Sequence, residues 1–168
     1  GEKHCEALAA IPNVEIAAVC TRNPERLAEV AARFGVAKTY TDFHAMLADP
    51  EIDSVSITTM WDQHADPAVA ALEAGKHVFL EKPMASTVAD CDRIVAAANT
   101  ASGFFMTGHI CRFNPRYAAA KEAIAAGRIG RIVSMYARRN LPSWVGASVL
   151  DKIGPIIAGR IGQIHVDV

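Results

Sequence analysis

With 168 residues, 51% of them hydrophobic, the chain has material for one full domain and the start of another. Seventeen basic side chains nearly cancel eighteen acidic ones, which leaves no overall field for nucleic acid and no charged tail. No apolar run approaches the ~18 residues needed to span a bilayer, and the opening Gly1-Glu2-Lys3-His4 is unlike a signal peptide.

The four cysteines (Cys5, Cys20, Cys91, Cys111) form no CxxC pair. That spacing argues against a zinc site or a disulfide framework and for thiols in a reducing cytoplasm. Residues 1–11 read as a helix broken by Pro12-Asn13, and 14–20 as a short, buried apolar strand. Asn23 offers an N-cap with Pro24 at the first helical position. Leu27, Val30, Ala31 and Phe34 then recur at helical spacing until Gly35 supplies the stop.

The alternation repeats along the chain. Residues 38–40 predict a strand, 42–48 a short helix, and 54–57 a strand. A helix over 65–74 is closed by Gly75, 77–80 is a strand, and 87–100 is a helix whose Thr87/Asp90 pair resembles a capping box. Residues 104–107 form the next strand. Short apolar strands alternating with helices specify an α/β fold, a doubly wound parallel sheet of Rossmann type whose first strand is missing. Past Gly108 the texture changes: Pro115 opens a helix to Ala126, stopped by Gly127, and 130–138 alternate like a strand with one wet face. The expected division is a dinucleotide-binding domain over 1–112 and the beginning of a second, α+β domain over 113–168.

Three segments carry chemistry. A glycine that opens the first helix, as Gly1 does, suits a pyrophosphate at a helix N-terminus. Thr58-Thr59-Met60-Trp61-Asp62-Gln63-His64 follows a buried strand, where hydroxyls and an amide suit a ribose or sugar-phosphate ligand. Equally open is that Thr58 and Thr59 cap the next helix and that His64 is a packing histidine. In Phe79-Leu80-Glu81-Lys82-Pro83-Met84, a lysine ending a buried strand is expected in a low-dielectric crevice, tuned for proton transfer and backed by Pro83. The alternative there is a solvated Lys–Glu pair.

Glu81-Lys82-Pro83, preceded by His64 and by Ala70-Ala71-Leu72-Glu73-Ala74-Gly75-Lys76-His77-Val78, resembles the Gfo/Idh/MocA family of oxidoreductases. Gly1 with His4 is similar to the end of that family's dinucleotide loop. The run from Gly108 through Arg112 and Asn114 to Tyr117 is similar to its interdomain crossing, and Gly130-Arg131-Ile132-Val133 to the first strand of its second domain. The resemblance implies NADP or NAD at the switch point, with hydride passing to or from a polyol or sugar carbon and Lys82 handling the hydroxyl proton. It further implies that Thr58, Thr59 and His64 line the cofactor site. Glu81 and Pro83 would support Lys82 and the nicotinamide ribose, with Arg112 and Asn114 near the nicotinamide and substrate. The family analogy extends to a homo-oligomer, while charge balance, run length and cysteine spacing lead one to expect no nucleic acid, membrane or metal.

At the end of the second strand, Thr21 and Arg22 stand where NAD-selective sites usually carry an acid, which favours NADP or dual use. The chain departs from the family in starting inside the dinucleotide loop and stopping at Val168, so a fragment is expected. It departs again at the family's Asp-x-x-x-His element. His165 is the match for the histidine, but Ile161 stands four residues earlier, so His165 reads as a substrate-orienting or an ordinary histidine. That departure motivates a rival reading, an NAD(P)-binding sensor without turnover.

Overall fold

A computed structural model describes residues 1–136 and 138. The chain divides into two units, Gly1–Ile110 and Cys111–Val168. In the first, the elements run α1 (Glu2–Ala9), β1 (Ala18–Cys20), α2 (Pro24–Phe34), β2 (Lys38–Tyr40), α3 (Phe43–Leu47), β3 (Ser54–Ile57), α4 (Ala65–Glu73), β4 (His77–Leu80), α5 (Val88–Thr100) and β5 (Phe105–Thr107). All strand pairs are parallel. β1 pairs with β2, and β4 lies between β3 and β5 in a second sheet.

Local chemistry sets most of these boundaries. The side chains of Asn23, Asp42 and Thr87 accept the backbone N–H of Arg26, His44 and Asp90, satisfying donors that the first helical turn leaves over. Gly35 and Gly75 close their helices at φ 67° and 73°, the left-handed region a side chain avoids. One strand is shorter than its apolar run: only Ala18–Cys20 of 14–20 is extended into the ladder. Its partner β2 offers three residues, with Ala18 opposite Lys38 and Cys20 opposite Tyr40, and a strand extends only as far as its ladder.

The core lies on one face of the second sheet. Val55 and Ile57 of β3 sit opposite Val78 and Leu80 of β4, and all four are buried against Ala68, Ala71 and Leu72 of α4 and Ile94 of α5. Ser56 and Phe79 face the other way. There α1 brings His4, which hydrogen-bonds Ser56 Oγ at 2.7 Å and meets the Phe79 ring edge-on at 5.6 Å. Glu2 of α1 also pairs with Arg26 and Arg33, which fastens α1 to α2.

At the far end of β2, Lys38 bridges Asp49 at 2.7 Å and Glu51, and Tyr40 donates to Asp49 at 2.9 Å. The Lys38 bond, followed by the Glu51 amide and the Tyr40 hydroxyl, holds the Asp49 carboxyl at about 2. A depressed carboxylate contributes stability that is complete above its unfolded value of about 3.9 and lost as pH falls through its folded value. Asp49→Asn is therefore expected to lower the urea midpoint at neutral pH, with the gap to the unmodified protein shrinking below about pH 4. A gap undiminished at about pH 2.5 contradicts this assignment.

The second unit is described through α6 (Pro115–Ala125), capped by the Asn114 side chain and followed by Gly127 at φ 69°. The strand expected over 130–138 is not formed among the described residues there. Val133 and Tyr136 are each 86% exposed, and among the described residues no segment pairs with this one or covers it, as a strand requires.

Candidate active site

Ligands in open parallel sheets bind beyond the carboxyl ends of the strands, and three segments meet there in this chain. The first is the start of α1. His4 N and Cys5 N bond Gly1 O at 2.9 and 3.1 Å, so the amides before them precede any intrahelical acceptor and present the positive end of the helix. Gly1 also packs closely: a Cβ there would lie 3.2 Å from Thr58 Oγ1.

The second segment follows β3. Thr58, Thr59 and Met60 lead into a single 3-10 turn, Trp61–Gln63, which closes through Gln63 N to Met60 O at 2.8 Å and Thr59 Oγ1 to Gln63 O at 3.2 Å. Arg22, just past β1, donates to Gln63 Oε1 at 2.6 Å and ties this turn to the first sheet. The third segment follows β4, where Glu81 N still bonds Ile57 O at 3.0 Å before the chain leaves the sheet at Lys82 and a cis Lys82–Pro83 bond.

A cleft of about 390 Å³ lies among the three, and of the residues singled out in the sequence Gly1, Thr58, Thr59, His64, Glu81 and Lys82 line it. Lys3, His4, Met60 and Trp61 line it too. Of these, His4 enters the sequence reading only through its place after Gly1, and the fold bonds it into the cleft. Its Nε2 lies 3.2 Å from Glu81 Oε1, with its Nδ1 on Ser56. The signal available was its place three residues after Gly1, one helical turn into α1.

Partial burial pushes the Glu81 carboxyl up. The Lys82 backbone N–H at 2.8 Å, the His4 hydrogen bond and the charges of His4 and Lys82 outweigh it and hold the group below its ordinary value. Glu81 is thus an anion anchored to its own corner of the cleft rather than to the lysine amine. Lys82 departs from expectation in one respect. It stands at the cleft but is exposed, so the desolvation foreseen for it is not supplied by the described residues. The reason is geometric: the last buried residue of β4 is Leu80, and the chain has left the sheet two residues later.

His64 lines the cleft and is also 1% exposed, the one buried polar side chain among the described residues. Its Nδ1 meets Pro83 O at 2.9 Å and its Nε2 meets Thr59 O at 3.0 Å. Pro83 therefore contributes a carbonyl behind Lys82 rather than a wall. Thr21 and Arg22 lie outside the lining, at the end of β1, where Thr21 N bonds Tyr40 O at 3.1 Å. Arg112 falls in a 3-10 turn and Asn114 caps α6 by accepting Arg116 N at 3.0 Å; both belong to the second unit. His165 lies outside the described residues. Among the described residues no cluster of three or more His, Cys, Asp or Glu could hold a metal, and no helix is long and apolar enough to cross a membrane.

A family model described as an oxidoreductase family with an NAD-binding Rossmann fold matches residues 1–109. The chain is 37% identical over 129 residues to 4-carboxy-2-hydroxymuconate-6-semialdehyde dehydrogenase of Sphingobium sp., covering 77% of this chain and 41% of that protein. It is 34% identical over 131 residues to myo-inositol 2-dehydrogenase of Thermotoga maritima, covering 78% of this chain and 39% of the other. Among solved structures it is similar to scyllo-inositol dehydrogenase of Lactobacillus casei with bound NAD(H) and scyllo-inositol. That match has a TM-score of 0.70 at 31% identity, over 79% of this chain and 39% of that one. The chain thus spans about two fifths of the length of the curated relatives it matches.

Proposed function

This chain belongs to the Gfo/Idh/MocA family of oxidoreductases with an NAD-binding Rossmann fold, and we propose that its protein is a dehydrogenase or reductase using NAD or NADP on a hydroxyl or carbonyl carbon of a sugar, inositol or related polyol. The observation that carries this reading is the placing of Lys82 on the same cleft as the N-terminal end of α1 and the Thr58–Thr59 hydroxyls.

The residues fit a dinucleotide. The close approach of Gly1 to Thr58 leaves no comfortable room for a side chain at the helix start, where a pyrophosphate would meet free amides. Thr58 and Thr59 offer hydroxyls beside it. When bound, a nicotinamide cofactor supplies the hydride donor or acceptor. The chain supplies the proton: Lys82 Nζ takes it from a substrate hydroxyl during oxidation and returns it during reduction. Glu81, bonded to the Lys82 N–H and to His4, holds the backbone from which that amine projects. A homo-oligomer built through the second domain belongs to the same reading on family resemblance, and a cytoplasmic location on the unpaired spacing of the cysteines.

Thr21 and Arg22, without an acid beside them, extend the proposal to NADP. A guanidinium accepts a 2′-phosphate that a carboxylate repels. Titration of the protein with NADPH and with NADH is expected to give the lower dissociation constant for NADPH. NADH binding as tightly or more tightly removes this preference. The activity itself is tested with a panel of polyols and sugars, each with both oxidised cofactors, following the absorbance of the reduced nicotinamide. Binding of cofactor without turnover on any member or in the reverse direction would leave a sensor in place of an enzyme.

A further inference from the structure

His64 occupies the N-cap position of α4, yet its side chain caps nothing. The ring is turned inward and buried, with one nitrogen on the carbonyl of Pro83 and the other on the carbonyl of Thr59. These two oxygens belong to different walls of the cleft: Thr59 to the hydroxyl turn after β3, Pro83 to the corner that carries Lys82. Carbonyl oxygens only accept, so a contact is a hydrogen bond when the ring nitrogen facing it carries the hydrogen. A neutral imidazole has one N–H and serves the two arms in turn.

Resting on the dehydrogenase reading, the geometry points to His64 as a positioning residue that sets the spacing between the cofactor turn and the catalytic lysine, one arm for each. His4 and Glu81 N tie the Lys82 corner to Ser56 and Ile57 of β3, not to the hydroxyl turn that follows that strand. Arg22 reaches Gln63 but not the Lys82 corner, and Glu81 reaches the Lys82 N–H but not the turn. Among these contacts, His64 alone joins the two walls from beneath. The buried ring N–H also keeps whichever of Thr59 O and Pro83 O it faces from being stranded without a donor as the loops pack.

The two arms can be separated, because the amide of asparagine lies where Nδ1 of histidine does, and that of glutamine near Nε2. His64→Asn keeps a donor for Pro83 O, and His64→Gln keeps one for Thr59 O. In the protein as expressed from its own gene, His64→Gln is expected to lower kcat at saturating cofactor about tenfold or more, since small misplacements of a catalytic group are costly. Its NADH dissociation constant should move by less than about threefold. His64→Asn is expected to show the opposite balance, a dissociation constant raised about fivefold with a smaller loss in kcat than in His64→Gln. NADH binding followed by fluorescence gives the dissociation constants independently of turnover.

Equal losses in both quantities for both variants, tracking a common fall in melting temperature, would make His64 a packing residue and overturn the proposal. So would two variants indistinguishable from the unmodified protein. Should a variant fail to fold, the unmodified protein still decides: an NMR signal of the His64 ring proton is expected to exchange slowly with solvent. Exchange as fast as that of an exposed histidine overturns the clamp. Unmodified protein that neither binds nor turns over any nicotinamide cofactor removes the dehydrogenase reading and the positioning role with it. Normal binding and turnover with unaffected variants removes the clamp alone.

Discussion

Lys82→Met is expected to lower kcat by about 10²–10⁴-fold, the range a positioned general acid or base supplies, with the NADH dissociation constant changed by less than about threefold. Methionine keeps most of the length and apolar stem of lysine and removes the proton and the charge, so the loss reports chemistry rather than packing. Lys82 sits at the cleft, exposed, and two residues past the buried end of β4. Little structural stability therefore depends on its side chain, and the melting temperature should hardly move. Lys82→Arg should not restore the rate, because a guanidinium keeps its proton throughout the accessible pH range. Turnover in Lys82→Met within about tenfold of the unmodified protein, at saturating cofactor and substrate, would exclude the lysine as the proton carrier.

Leu80→Ala is expected to destabilise the protein by about 2–5 kcal/mol, read as a lower urea midpoint with an unchanged slope. Leu80 is fully buried on the middle strand, opposite Ile57 on one side and Thr107 on the other. Its side chain belongs to the cluster with Leu72, Val78 and Ile94, and its carbonyl accepts Gly108 N at 2.7 Å. Neighbours held by two strand ladders and two helices have little freedom to close the space that alanine leaves. The loss also reaches the site, since Glu81 and Lys82 follow directly. Leu80→Met, close in volume, should cost less than about 1.5 kcal/mol. Equal midpoints for the alanine variant and the unmodified protein would mean that the core is not organised around β4.

The contrast between these two substitutions separates the parts of the site that a linear reading reaches from those it does not. Lys82 was legible because its evidence is contiguous: a buried run, then Glu-Lys-Pro, then a helix. Thr58 and Thr59 were legible for the same reason. The lysine's environment was not, because burial at a strand end depends on what other segments bring to cover it. Here the described residues bring an open cleft. The sequence leaves His64 open to a ligand or a packing role, since its residue type allows either. Its contact with Pro83 O, nineteen residues away, exists only in the fold. His4 is the clearest case, bonded to Ser56 and Glu81 across separations of 52 and 77 residues.

Periodicity, caps and stops determined where helices and strands lie, since each acts within about four residues and needs no distant partner. Asn23, Asp42, Thr87 and Asn114 all cap the helices that follow them, and the alternation of strand with helix already required parallel pairing. The assembled chain settled matters of long-range proximity. β1 is cut to three residues by a three-residue partner, while 130–138 finds no partner among the described residues. Gly103, unremarkable in the sequence, lies so near Lys76 O that a Cβ would strike backbone. A hydrogen bond or a steric collision between distant residues exists only once the fold has closed the loop between them, so no local pattern announces it.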